Sequence, residues 1–267
     1  MGPPPIPTPT PPMKWQDLRR HTMARVALGR AGNGLPTAAH LAFQAAHAAA
    51  RDAVHTPLDV ALLQDELIAK GFDSQAVHSA AADRRIYLLR PDLGRRLAPG
   101  QAANLAPVPG CLAFVICDGL SAVAVQRHAV DLLMSIRPLL AGWTIAPIVI
   151  VTQGRVALGD EIGAALQAAA VAVLIGERPG LSAADSLGVY LTWQPRPGRS
   201  DAERNCISNV RPDGLPPITA AAKLAWLIGQ MRILGQTGIG LKDEQAYLIR
   251  VRSEPSGRDS ELGDHVS

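Results

Sequence analysis

Apolar positions follow two different rules along this chain. From residue 15 to about residue 105 they recur at helical spacing, and from Cys111 onward they gather into short continuous runs separated by amphipathic stretches. Leu35-Pro36-Thr37 opens the alanine-rich run AAHLAFQAAHAAARDAVH, whose strong helix formers and early proline predict a helix beginning near Pro36. Pro57 opens LDVALLQDELIAK, which Gly71 can close as a left-handed cap, and HSAAADRRIYLLRPDLGRRL reads as a polar connection with a short helix. Beyond Cys111 the runs CLAFVIC, IVIVTQ, VAVLIGE and VYLTW have the length and character of strands. Between them, Ser121 can cap the helix AVAVQRHAVDLLMSI, and another helix begins near Asp160. Ser182-Ala-Ala-Asp185 fits a capping box that would start a short helix, and residues 216–234 supply a last long one.

Strand alternating with helix argues for an α/β fold, a parallel sheet with right-handed crossovers and helices on its faces. The expected organisation is a helical N-terminal region over residues 15–105 followed by the sheet domain over 106–244. MGPPPIPTPTPP (within 1–14) reads as an extended polyproline tail, and 245–267 as a polar tail without periodic apolar positions.

Composition narrows the function classes. A chain of 267 residues with 48% apolar content can bury one sizeable core. The net charge of +3 is dispersed, and with only 4% aromatic residues the chain lacks the stacking groups that single-stranded nucleic acid requires, so no nucleic-acid partner is expected. No segment approaches the roughly 20 apolar residues of a membrane span, so no membrane role is expected either. Cys111, Cys117 and Cys206 have no CxxC spacing, which argues against a disulfide framework or a zinc site and for a reducing cytoplasm.

Several motifs fail as catalysts. Gly154-Arg-Val-Ala-Leu-Gly159 has phosphate-loop spacing, but Asp160 and Glu161 stand where Lys and Ser or Thr would meet phosphate and magnesium. Its glycines either let the backbone at Arg155 and Val156 approach a bulky ligand or simply make a tight turn. Gly29-Arg-Ala-Gly-Asn-Gly34 follows no strand and misses the dinucleotide spacing. Asp118-Gly-Leu-Ser121 lacks a nucleophile elbow, and His128 lies too far along to serve Ser121 as a base. His40 and His47, on one face of the alanine-rich helix, read as satisfied structural histidines. No catalytic and no metal-ligating residue is expected in this chain.

One stretch does suggest a site. VAVLIGERPG carries Glu177 directly past a strand, at the sheet edge where open α/β folds bind ligands. Glu177 either accepts hydrogen bonds from a ligand or pairs with a surface arginine. Cys206, at the end of the next polar loop, is either a small buried apolar group or a second contact.

The segments LGRAGNGLPTAAHLAFQAAHAAARDAV, ICDGLSAVAVQRHAV, QGRVALGDEIGAAL, VLIGERPGLSAADSLGVYLTWQPRPGRSDAERNCISNVRPDG and GIGLKDE occur in order and resemble the small subunit of ethanolamine ammonia-lyase, from about Asp17 to Glu244. The resemblance implies a Rossmann-like domain that helps bind adenosylcobalamin at an interface with a large catalytic subunit, in an enzyme converting ethanolamine to acetaldehyde and ammonia. It implies a hetero-oligomer, a hexamer of large–small pairs, active only with the large subunit. Carried over motif by motif, the cofactor contacts are Val156, Glu177 and Cys206. No D-x-H-x-x-G occurs, so the cofactor is expected to keep its own lower ligand. Two departures stand out: a proline tract replaces the helical targeting segment carried by relatives that enter bacterial microcompartments, and the tail after Glu244 runs past the family's usual end.

Overall fold

LAFVIC forms β2 (Leu112–Cys117), buried at every residue because helices cover both of its faces. The computed structural model describes residues 15–243; the two tails expected at 1–14 and 245–267 lie outside the described residues. Around β2 stand β1 (Ser74–His78), β3 (Ile148–Thr152), β4 (Ala170–Gly176), β5 (Leu187–Trp193) and β6 (Arg204–Val210). They make one six-stranded sheet in the order β1-β3-β2-β4-β5-β6. β1, β3, β2 and β4 run parallel, while β5 and β6 add on antiparallel.

The α/β class expected from the strand and helix alternation holds. Two strands were not expected. SQAVH, within the stretch read as helical, pairs with β3 from Ser74↔Ile148 to His78↔Thr152. Its burial is confined to Val77, so little in its own pattern marks it as a strand; the backbone of β3 supplies the order. RNCISNV is likewise read from polar residues, and only Arg204, Ile207 and Val210 are buried along it. The antiparallel turn at β5 has a simple cause. The 177–186 connection is shorter than the roughly dozen residues that a parallel crossover needs.

Alternation along β2 divides the core into two layers. Leu112, Phe114 and Ile116 meet α2 (Val60–Ala69), α4 (Ala122–Ile136) and α6 (Pro217–Leu234). Ala113, Val115 and Cys117 meet α5 (Leu158–Ala165) on the opposite face. Ser121 caps α4 as expected, accepting from the Ala124 N–H at 3.3 Å, and Gly71 adopts the left-handed conformation (φ 73°) that ends α2. α1 (Thr37–His55) begins after Pro36 but buries only Ala53. His40 and His47 are exposed on it, with His40 Nε2 3.0 Å from Gln44 Nε2 and the His47 ring 6.4 Å from that of Phe43.

α5 is fastened to the antiparallel annex by a buried ion pair. Both oxygens of Asp160 receive the Arg204 guanidinium, at 2.8 and 2.7 Å, and that guanidinium also donates to Thr192 Oγ1 and the Arg199 carbonyl, each at 3.0 Å. Asp160 thus has a structural partner. Glu161 is also occupied, accepting the Leu97 N–H at 2.7 Å. Removing one member of a buried pair leaves an uncompensated charge, so Arg204→Met should cost about 3–5 kcal/mol in urea denaturation. The double variant Asp160→Leu with Arg204→Met should recover most of that loss, because the apolar pair needs no desolvation.

Candidate functional site

Three loops meet at the carboxyl edge of the parallel strands, and glycine makes the meeting possible. β2 connects toward β3, whereas β4 connects away toward β5, so the crevice between the ends of β2 and β4 is a topological switch point. There the Leu120 N–H donates to the Gly176 carbonyl at 2.9 Å. A Cβ on Gly176 would collide with the Ser121 carbonyl and lie 2.6 Å from that of Asp118; one on Gly119 (φ 57°) would collide with the Gly176 carbonyl. No side chain fits between these backbones. Gly154, after β3, is restricted too, since a Cβ would sit 2.9 Å from Cys117 Sγ.

The crevice opens into a cavity of about 450 Å³ lined by residues that include Tyr87, Val156, Ile175, Glu177 and Tyr190. Glu177 is half-buried at its wall. Its Oε2 accepts the Ser186 hydroxyl and the Asn209 N–H, the latter at 3.1 Å, while Oε1 accepts no hydrogen bond within the described residues. Among the described residues no arginine pairs with Glu177, so the surface ion pair that was its other reading does not form there. Val156, also half-buried, faces the same cavity from the loop before α5. Cys206 does not line it. It lies on exposed β6 directly opposite Tyr190, with its Sγ 3.4 Å from Ser208 Oγ, so it is not the small buried apolar group that was one of its two readings.

Tyrosines and arginines that no spacing pointed to complete the site. Burial, then hydrogen bonding to Cys206, pushes the Tyr190 phenol well above its ordinary pKa. Burial does the same to Tyr87, whose ring is met by the Arg84 and Arg155 guanidiniums at 4.8 and 4.5 Å and whose hydroxyl donates to the Gly154 carbonyl at 3.3 Å. Both phenols stay neutral near pH 7 and serve as donors. Tyr87 is far from Val156 in sequence, and its only early signal was an aromatic residue inside a short polar helix.

Two expectations for these loops change. The helix predicted after Ser182 does not form, because Asp185 turns away to α4 and meets Arg127 at 2.7 Å and His128 Nε2 at 3.6 Å. The loop is held from α4 instead, with the Ser121 hydroxyl also donating to the Ala184 carbonyl at 2.8 Å. The glycines at 154 and 159 serve close packing against Cys117 and Val173 of the sheet. The sheet by itself demands their small size.

A family profile described as ethanolamine ammonia-lyase light chain matches residues 12–242. The chain belongs to the ethanolamine ammonia-lyase light chain family. Similar proteins carry the name ethanolamine ammonia-lyase small subunit. The one from Azotobacter vinelandii is 56% identical over 251 residues, covering 91% of this chain and 93% of the relative. That of Xanthomonas campestris pv. campestris is 54% identical over 247 residues, covering 89% and 91%. In Pseudomonas syringae pv. tomato the identity is 51% over 255 residues, covering 92% and 88%. The light-chain family is thus the setting for the cavity, and among the described residues of this member no helix is long and apolar enough to cross a membrane.

The Glu177 loop of this light chain should loosen in acid. Burial raises the Asp185 carboxyl, but the Arg127 hydrogen bond and the charges of His128 and Arg127 outweigh it and hold its pKa below the ordinary value. A depressed carboxyl stabilises above its unfolded pKa of about 4 and ceases to do so as pH falls through the folded value. Amide exchange across residues 177–186 should therefore accelerate below about pH 4 in the native chain. Asp185→Asn should exchange faster at neutral pH and lose the acid step.

Proposed function

We propose that this chain is the small subunit of an adenosylcobalamin-dependent ethanolamine ammonia-lyase, and that it joins a large subunit to enclose the cofactor. The observation that carries the reading is Glu177 at the wall of a half-apolar cavity, where its hydrogen bonds among the described residues are confined to Oε2.

The residues present fit a corrinoid. Its periphery is rich in amide N–H donors, for which a fixed carboxylate oxygen is a strong acceptor. Val156, Ile175 and the ring of Tyr190 offer apolar surface to the methyl-bearing rim. Cys206 and Ser208 extend that wall along β6 on the exposed side of Tyr190. The cavity, at about 450 Å³, is at the low end for a drug-sized ligand and far too small for a whole corrinoid. It receives one edge of the group, and a second protein must cover the rest.

Bound there, cobalamin supplies the radical chemistry by which ethanolamine becomes acetaldehyde and ammonia. Val156, Glu177 and Cys206 bind and orient, and the neutral phenols of Tyr87 and Tyr190 offer no base at neutral pH. No catalytic residue is assigned to this chain. The assembly is proposed as six large–small pairs in the cytoplasm.

Purified alone, the chain should form no acetaldehyde from ethanolamine. Co-expressed with the large subunit and given adenosylcobalamin, it should do so, and native mass spectrometry should return the mass of six pairs. Activity of the chain by itself would overturn the proposal, and cobalamin retained by the isolated chain after desalting would indicate a carrier. In the complex, Glu177→Ala should raise the Kd for hydroxocobalamin roughly tenfold, as expected for a hydrogen bond to a charged acceptor. An unchanged Kd would remove Glu177 from the site.

A further inference from the structure

A buried carboxylate next to the cavity has work that the proposed cofactor contacts do not explain. Asp118, the first residue after β2, is almost fully enclosed. Both of its oxygens accept consecutive backbone amides of the loop leading to Val156: Oδ2 receives the Gln153 N–H at 2.8 Å and Oδ1 the Gly154 N–H at 3.1 Å. Between those two bonds Gln153 is held at φ 56°, a left-handed conformation costly for any residue with a side chain. The next links of the loop are held by other elements. The Tyr87 hydroxyl donates to the Gly154 carbonyl at 3.3 Å, and the Arg155 N–H donates to the Gly94 carbonyl at 2.8 Å.

We propose that Asp118 is a positioning residue: by receiving the Gln153 and Gly154 amides it sets the backbone that presents Val156 to the cavity. The proposal rests on the cobalamin reading of that cavity. Asp118 is not itself among the residues that line the cavity; it acts through the loop.

Stability alone does not account for a carboxylate here. Burial raises the pKa of Asp118 despite the two amides and the Arg84 guanidinium 3.7 Å away, so the charged form is disfavoured by the fold. The other ionisable groups near it are Cys117, which is also buried, and the Tyr87 phenol, with the Arg155 guanidinium 4.5 Å from that ring. An amide side chain would face the two N–H groups with an NH2 donor beside its one oxygen, whereas a carboxylate gives each N–H its own oxygen and offers no donor in return. A raised folded pKa also makes the device pH-sensitive, because protonation converts one acceptor oxygen into a donor.

The test uses the assembled complex with hydroxocobalamin as probe, together with amide exchange of the 153–156 segment. Asp118→Asn keeps the volume and one acceptor, and should weaken cobalamin binding about fivefold to tenfold while accelerating exchange at 153–156 and leaving β2 and β4 protected. Asp118→Ala should weaken it further, so that the Asn variant is a partial rescue. In the native complex, affinity should fall as pH drops through the raised pKa, and in Asp118→Asn that dependence should vanish. Tyr87→Phe, which removes only the bond to Gly154, should give a smaller change of about twofold to threefold in the same direction and serves if the Asp118 variants do not assemble. Faster exchange with unchanged Kd, or weaker binding with unchanged exchange at 153–156, would overturn the positioning role. Glu177→Ala separates the two claims: an effect at 177 with none at 118 overturns only this inference, whereas no effect at either position overturns the cobalamin site beneath it.

Discussion

Where β2 and β4 leave the sheet their backbones cross in hydrogen-bond contact, and no side chain can stand between them. Leu120 N–H reaches the Gly176 carbonyl, while Gly119 and Gly176 each lie where a Cβ would strike the other loop's main chain. That approach places Ser121 at the start of α4, brings Asp118 under the loop that follows β3, and delivers Glu177 to the cavity wall one residue after Gly176. A cavity at a switch point is a general property of such sheets. Its shape in this light chain comes from glycines that bring three loops to within backbone contact.

β6 extends this arrangement to the other half of the sheet. Near its start, Arg204 meets Asp160 of α5, and near its end, the Asn209 N–H meets Glu177 after β4. Two carboxylates from the parallel half therefore hold both ends of the antiparallel edge strand. The consequence for function lies in how Glu177 is used: one oxygen is committed to architecture, and the other accepts no hydrogen bond among the described residues. A carboxylate anchored in this way loses little further freedom when it binds a ligand.

Positions far apart in the chain supply the rest of the site. Tyr87 comes from a short helix in the N-terminal region, and its ring meets both Arg84 of that helix and Arg155 of the loop beside Val156. The N-terminal region is thus bound into the sheet domain at the cavity as well as through β1. Asp118 belongs to the same cluster and couples the end of β2 to the end of β3.

The loops bearing Val156 and Glu177 were legible because each follows a strand-like run, whereas Cys206, read as the end of a polar loop, lies within β6; the buried strands β2, β3 and β4 announced themselves as continuous apolar segments. The cap at Ser121 and the left-handed Gly71 were legible for the same reason, that local geometry restricts which residues can stand there. By contrast, β1 and β6 are mostly polar and become strands because a neighbour's backbone presents unpaired groups to them. The failed helix after Ser182 shows the same limit, since Asp185 had a local use as a cap and a distant one with Arg127, and the distant one won. The sequence by itself determined the α/β class, the family and the candidate loops, all of which depend on local periodicity and on motifs contiguous in the chain. Only the tertiary structure decided that the hydrogen bonds of Glu177 among the described residues would be confined to one oxygen, that Asp160 would be spent on Arg204, and that Asp118 and Tyr87 would support Val156, because each depends on which remote group meets it across the sheet.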